Sequence, residues 1–173
     1  MVMNTHSPET HTRPEPAEVR FNILIADDDP GNRETLDEVL KRRGFQTVLA
    51  ADGSEAVELV QVNMVHLVLF DMHMPRMTGL EAVHALRQTL GPLLPAVLMT
   101  ADATKDLMRQ AFLAQVYSVI PKPVNVNLVL HTLTRALTRV YGVPAANPQP
   151  APQPPATGEA RPGRPTTPNQ ETD

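Results

Sequence analysis

Short apolar runs recur along the chain and alternate with segments whose apolar residues repeat at helical spacing. The runs cover residues 21–26, 45–50, 66–70, 95–99 and 116–120. Runs of this length are typical of buried strands. Between the first two, Leu36, Val39 and Leu40 form a stripe that predicts an amphipathic helix, and similar stripes follow each later run. The pattern therefore predicts five strands that alternate with five helices.

The alternation also limits the topology. No hairpin signal joins one apolar run to the next, which favours a parallel sheet covered by helices on both faces. Right-handed crossovers leave few arrangements, and the flavodoxin-like order is common for five strands. We predict an α/β fold with a doubly wound five-stranded parallel sheet of order 2-1-3-4-5 and five helices on its two faces. In that order the first and third strands are neighbours.

Both ends of the chain differ in composition from the middle. Residues 1–19 show no apolar period, and residues 143–173 are rich in proline with few large apolar side chains. Such segments bury too little surface to offset the entropy of ordering, so we expect both to be disordered tails. The folded domain is predicted at residues 20–142, with no second domain after it. The run at 148–155 fits either a polyproline ligand or a plain solvated tail.

Composition excludes several classes of function. The chain has no cysteine, which rules out disulfides and thiolate metal sites. Acidic and basic residues nearly balance within 20–142 and form no basic stripe, so we expect no nucleic-acid binding. No apolar stretch approaches the roughly 20 residues that span a bilayer, and the polar N-terminus lacks a signal-peptide core. We therefore expect a cytoplasmic protein without a membrane partner.

Four of the apolar runs lead into polar residues of different kinds, the last of them through Pro121. The endings are Asp27 and Asp28, Asp71, Thr100 and Lys122. Parallel strands place their carboxyl ends at one edge of the sheet, where open α/β folds bind ligands. We therefore expect carboxylates, a hydroxyl and an ammonium to meet at one site.

These groups suit a divalent cation and a phosphoryl group. Two carboxylates about 4 Å apart repel by about 4 kcal/mol at an effective dielectric constant near 20, and a cation removes that repulsion. Oxygen ligands favour Mg²⁺. With Lys122 neutralising phosphoryl oxygens, one carboxylate could attack phosphorus and form an aspartyl phosphate. Thr100 could donate to the phosphoryl group, and the small Ala101 leaves room for the donor to approach.

Simpler interpretations exist for each residue. Aspartates at the start of a helix often cap it, and this interpretation is favoured for Asp29. Asp71 and Thr100 could be ordinary strand ends, and Lys122 a solvated loop residue. Their coincidence on four strand ends favours the functional interpretation over these.

Four motifs resemble the receiver domain of bacterial two-component response regulators, a match covering roughly residues 21–140. They are ILIADDD at 23–29, LVLFDMHMPRMTGLE at 67–81, VLMTA at 97–101 and PKP at 121–123. Any one is weak evidence, but all four occur in the family's order and spacing. The chain thus resembles a stand-alone receiver similar to chemotaxis regulators.

The resemblance implies a role for each residue of the predicted site. Asp71 would accept the phosphoryl group, and Asp27 and Asp28 would hold Mg²⁺, with Asp28 the more direct ligand. The cation would also contact Asp71 and the backbone carbonyl of His73. Thr100 would be the switch hydroxyl and Lys122 the phosphoryl partner, preceding a cis bond to Pro123.

Two positions depart from the family pattern. Val119 stands where the family often carries an aromatic that turns inward on activation, and Gln115 replaces a common glycine. Tyr117 is predicted on the same strand and the same face as Val119, so it could substitute only with a shifted backbone. We include Thr100, Ala101, Tyr117 and Val119 as the candidate switch residues.

The resemblance implies a signalling phospho-acceptor that catalyses only its own phosphorylation and dephosphorylation. A sensor histidine kinase or a histidine phosphotransfer protein would supply the phosphoryl group, and an output protein would bind in a phosphorylation-dependent way. One alternative is a receiver-type docking module that ignores phosphorylation. Another is an aspartyl-phosphate phosphatase, although that class needs a carboxylate two residues after its nucleophile, where this chain has His73.

Overall fold

The computed structural model describes residues 20–142, where five strands alternate with five helices. The predicted tails at 1–19 and 143–173, and the proline-rich run at 148–155, lie outside the described residues. All strands are parallel and form one sheet of order β2-β1-β3-β4-β5, which confirms the predicted fold. The strands are β1 Asn22–Ala26, β2 Gln46–Ala50, β3 Leu67–Asp71, β4 Ala96–Thr100 and β5 Ser118–Pro121.

Each helix begins directly after a polar residue whose side chain accepts hydrogen bonds from the first-turn N–H groups, which otherwise have no partner. These capping residues are Asp29, Asp52, Thr78, Thr104 and Asn125. The helices are α1 Pro30–Arg42, α2 Gly53–Val62, α3 Gly79–Leu90, α4 Lys105–Leu113 and α5 Val126–Tyr141.

The sheet separates two apolar layers. Alternate side chains of the central strands face α1 and α5 on one side and α2, α3 and α4 on the other. The strands β3 and β4 are buried along their whole length, as expected for central parallel strands. This packing fixes the carboxyl ends of β1, β3 and β4 side by side. Among residues 20–142, no helix is both long and apolar enough to cross a membrane.

The prediction that Tyr117 and Val119 share a face is wrong. Val119 packs against the layer that contains α2, α3 and α4, whereas Tyr117 packs against the layer that contains α1 and α5. The cause is local: Gln115 adopts a left-handed φ of 54°, and β5 begins only at Ser118. The two-residue alternation of a strand therefore does not extend back to Tyr117.

Candidate functional site

Three carboxylates meet at the carboxyl edge of the sheet. Asp27 and Asp28 follow β1, and Asp71 ends the neighbouring strand β3. One oxygen from each lies within 4.8 Å of the others. The strand order predicted from sequence thus places these three carboxylates together, as expected.

The two members of the acidic pair have different environments. Asp27 is 1% exposed; its Oδ1 accepts the N–H of Asp29 at 2.9 Å, and its Oδ2 lies 3.2 Å from the ammonium of Lys122. Asp28 is exposed at the rim of the cluster. Asp29 caps α1 and is not part of the cluster, as its simpler interpretation predicted. Of the two carboxylates, that of Asp28 is therefore the more accessible to a cation approaching from solvent.

Lys122 joins the two buried carboxylates. Its Nζ lies 3.0 Å from Asp71 Oδ1 as well as 3.2 Å from Asp27 Oδ2. Burial alone would lower the pKa of the Lys122 ammonium, but the hydrogen bond with Asp71 and the charges of Asp27 and Asp71 raise it. Lys122 is therefore held charged beside Asp71. The backbone N–H of Lys122 donates to Thr100 O. The peptide bond from Lys122 to Pro123 is cis, as predicted.

Asp71 is buried at the end of β3. Burial raises the pKa of its carboxyl, and the nearby charge of Asp27 acts in the same direction. The contact with Lys122 and a hydrogen bond from the backbone N–H of His73 oppose the rise without cancelling it. A carboxylate with a raised pKa is a better nucleophile than an ordinary surface carboxylate, provided that it stays ionised.

The loop after β3 turns tightly around Asp71. A Cβ built on Gly79 would lie 2.3 Å from the carbonyl oxygen of Asp71, so only glycine permits this approach. The N–H of Gly79 donates to Met72 O, which closes the loop. His73 lies in this loop with an exposed side chain, and its backbone adjoins Asp71.

Thr100 and Ala101 lie at the end of β4. Thr100 is fully buried, and its hydroxyl donates to Asp102 O at 3.1 Å and accepts the Asp102 N–H at 3.2 Å. Ala101 is exposed beside it. Val119 lies on the adjacent strand β5 and packs against the layer that contains α2, α3 and α4. The hydroxyl of Thr100 is thus hydrogen-bonded within its own loop.

One ion pair near the site was not predicted from sequence. Asp52 is 1% exposed, and its carboxylate contacts the guanidinium of Arg76, which lies in the loop after β3. Asp52 directly precedes α2 and caps it. A contact between residues 24 positions apart in two different loops leaves no periodic trace, and Arg76 itself is an ordinary exposed residue in the sequence pattern.

The oxygen-rich cluster fits a hard divalent cation. Carboxylate oxygens are among the ligands that Mg²⁺ prefers, and the cluster offers three of them without any competing thiolate. Three carboxylates against one ammonium leave the cluster negative overall, which a divalent cation would correct.

Comparison with known proteins identifies the family. Residues 23–134 match the family model for the response regulator receiver domain. The chain is 35% identical over 118 residues to the sensor histidine kinase RcsC of Escherichia coli, a match that covers 68% of this chain and 12% of RcsC. It is 32% identical over 130 residues to the transcriptional regulatory protein PdtaR of Mycobacterium tuberculosis, covering 75% of this chain and 62% of PdtaR.

A solved structure supports the same assignment. The chemotaxis protein CheY4 of Vibrio cholerae matches with a TM-score of 0.65 and 28% identity, covering 69% of this chain and 100% of CheY4. The chain spans only a small part of RcsC and less than two thirds of PdtaR, so the likeness concerns the domain that they share. Family model, sequence relatives and fold agree, and the chain belongs to the response regulator receiver domain family.

Proposed function

We propose that this protein accepts a phosphoryl group on Asp71, with the help of Mg²⁺, and signals through protein contacts that depend on this phosphorylation. The observation that supports it best is the placement of Asp71: a buried carboxylate 3.0 Å from Lys122 and within a cluster of three acids. Receiver domains are signalling phospho-acceptors rather than enzymes that turn over a separate substrate, and they bind Mg²⁺ at an acidic pocket.

Four groups would hold the cation. They are the carboxylates of Asp27, Asp28 and Asp71 and the backbone carbonyl of His73. Asp28 would be the more direct ligand of the acidic pair, because both oxygens of Asp27 already have partners. When bound, the cation supplies positive charge that offsets the repulsion among the carboxylates and the incoming phosphoryl oxygens.

The transfer itself needs few protein groups. An oxygen of Asp71 attacks phosphorus, and the bond from phosphorus to the imidazole nitrogen of a phosphohistidine breaks. The imidazole keeps that electron pair and takes up a proton. The ammonium of Lys122 neutralises phosphoryl oxygens throughout, which is the electrostatic contribution that phosphoryl transfer depends on.

The donor would be a sensor histidine kinase or a histidine phosphotransfer protein. This part of the proposal is supported by the likeness to RcsC, which is itself named a sensor histidine kinase. Ala101 is exposed at the site and presents only a methyl group, so it leaves an approach for the donor's imidazole. The near balance of charges in residues 20–142 favours protein partners over nucleic acid.

The readout would pass from Thr100 to the surface formed by α4, β5 and α5. Phosphorylation adds roughly 1.5 to 2 negative charges near Thr100, which gives its hydroxyl a stronger acceptor than the Asp102 backbone. A groove of about 920 Å³ lies on this surface between the C-terminal end of α4 and the side of α5, and exposed Phe112 and Leu128 contribute to its lining. An output protein could dock there.

A direct test is phosphorylation with a small donor. The protein is incubated with Mg²⁺ and acetyl phosphate or phosphoramidate, and intact mass should show one added phosphoryl group. Asp71→Asn should remove this addition completely, whereas Asp102→Asn, which changes an exposed aspartate in the adjacent loop, should keep it. An unmodified wild-type chain, or an Asp71→Asn chain that is still modified, would contradict the proposal.

A second candidate is a docking module whose contacts ignore phosphorylation. Val119 favours it, because a partly buried valine packed against the core offers no aromatic ring to move with Thr100. Backbone amide spectra of the phosphorylated and unmodified protein separate the two. Shifts through α4 and β5 support the switch, and shifts confined to the residues around Asp71 support the docking module.

A further inference from the structure

The loop after β3 is anchored by contacts with the loop that precedes α2. This loop, residues 72–78, carries the backbone of His73 next to Asp71. If it moves, the carbonyl expected to face the cation moves with it. Its contacts therefore bear on how well the proposed site binds a metal.

Asp52 is the buried end of one such contact. Its Oδ1 accepts the N–H groups of Ser54 and Glu55 and so caps α2. Its Oδ2 contacts the guanidinium of Arg76 and has no other polar partner among residues 20–142. Burying a carboxylate oxygen without a polar partner is unfavourable. Because the cap of α2 uses only Oδ1, the guanidinium of Arg76 supplies the partner that Oδ2 would otherwise lack.

Arg76 is held in an unusual conformation by its loop. Its φ is 65°, in the left-handed region that non-glycine residues seldom adopt. Such a conformation persists where the surrounding contacts determine it. Beside it, Met77 donates its N–H to Pro75 O at 2.7 Å, which closes a tight turn.

The two loops also touch through their backbones. A Cβ built on Gly53 would lie 2.6 Å from Met77 O and 3.0 Å from Met77 Cβ. The start of α2 and the turn after Arg76 are therefore in direct contact. The ion pair and this contact together form two adjacent attachments of one loop to the other.

We propose that the Arg76–Asp52 ion pair is a positioning device that holds residues 72–78 in the conformation that binds Mg²⁺. The inference rests on the proposed function, because it concerns the same cation. Arg76 acts through the backbone of its loop and does not itself touch the cation. Breaking the pair should weaken Mg²⁺ binding without removing any ligand.

The test is Mg²⁺ binding, measured by calorimetry and by amide shifts in NMR titrations of the full chain. Arg76→Ala should raise the Kd by about tenfold, the lower end of the cost of losing outer partners of metal ligands. Arg76→Lys should recover part of the affinity, because it restores the charge. Arg109→Ala, which changes an exposed arginine on α4, should bind as the wild type does.

A double variant separates positioning from stability. Arg76→Ala leaves the Asp52 charge buried without a partner and so also destabilises the fold. Adding Asp52→Asn removes that charge while keeping an oxygen to cap α2. In the double variant the melting temperature should return toward the wild-type value, the Kd should stay raised, and amide exchange in residues 72–78 should be faster.

The outcomes distinguish this inference from the function on which it rests. Wild-type binding with an unchanged Kd in both Arg76→Ala and the double variant would overturn the positioning role alone. A wild-type chain that binds no Mg²⁺ would overturn the proposed function and the positioning role together.

Discussion

The two edges of the sheet satisfy their polar groups in opposite ways. At the carboxyl edge, Asp27, Asp28 and Asp71 crowd around the single ammonium of Lys122. At the amino edge, three rings pack together with centroids 5.4 to 5.6 Å apart. These rings belong to Phe21, His66 and Tyr141.

Hydrogen bonds complete the amino edge. His66 Nδ1 accepts the N–H of Asn22 at 3.0 Å, and the hydroxyl of Tyr141 donates to His66 O at 3.0 Å. These groups are matched by neighbours from the chain itself. The carboxyl edge instead keeps an excess of negative charge that only an external group can match, so the fold concentrates its unfavourable electrostatics where it would bind ligands.

The largest expected effect comes from disrupting the ring cluster at the amino edge. Phe21 is 2% exposed and packs in the layer of α1 and α5 as well as on His66 and Tyr141. Phe21→Ala should lower the free energy of unfolding by about 3 to 5 kcal/mol, because it removes buried area and leaves a cavity. Urea denaturation measures this change.

The matched control for that variant is Phe112→Ala on α4. Phe112 is 81% exposed, so its loss should change stability by no more than about 0.5 kcal/mol. Equal effects from the two phenylalanines would mean that the ring cluster does not stabilise the amino edge.

A smaller effect on stability, of opposite sign, should follow from reducing the charge repulsion at the carboxyl edge. Asp28→Asn removes one charge from the cluster but leaves both contacts of Lys122 in place. Without Mg²⁺, the variant should be more stable than the wild type by about 1 kcal/mol or less, since Asp28 is exposed and partly screened by water. Thermal unfolding without metal measures it.

The same variant should respond less to the cation. Adding Mg²⁺ should stabilise the wild type more than Asp28→Asn, because a cation that binds the folded state more tightly stabilises it more. A loss of stability in the metal-free variant would show that Asp28 is not under repulsion.

The smallest expected effect concerns pH at the amino edge. Burial lowers the pKa of His66, whose Nδ1 must stay unprotonated to accept from Asn22. Below the unfolded pKa of about 6.5 the unfolded chain therefore binds more protons than the folded one. The contribution of His66 to stability is present above that pH and is lost as the pH falls through the folded pKa.

Paired denaturation curves check this sign. From pH 7.5 down to 5, the wild type should lose more stability than His66→Gln, which has no titrating ring at this position. His84→Gln, which changes an exposed histidine on α3, should follow the wild type. If His66→Gln and the wild type lose stability in parallel, His66 is not the titrating group.

Sequence reasoning worked best where a pattern repeats along the chain. The apolar runs and stripes predicted the five strands, the five helices and their order, because burial imposes a fixed period on each element. Neighbouring strand ends then placed Asp27, Asp28 and Asp71 together without any knowledge of side-chain contacts.

It worked less well where one residue breaks a period or where two loops meet. The left-handed Gln115 shifted the start of β5 and so reversed the predicted face of Tyr117. The Arg76–Asp52 pair depends on the path of two loops through space. Sequence alone also does not reveal that the hydroxyl of Thr100 bonds to the backbone of Asp102 rather than to another nearby group.

Those bonds of Thr100 set a background level of activity for the proposed switch. Each net hydrogen bond is worth about 0.5 to 1.5 kcal/mol, so turning the hydroxyl away from Asp102 costs about 1 to 3 kcal/mol without a phosphoryl group. The turned arrangement would then make up roughly 1 to 15% of the unmodified molecules at equilibrium. A partner present in large excess would meet that minority continuously, and the pathway would have a basal output even when no donor is active.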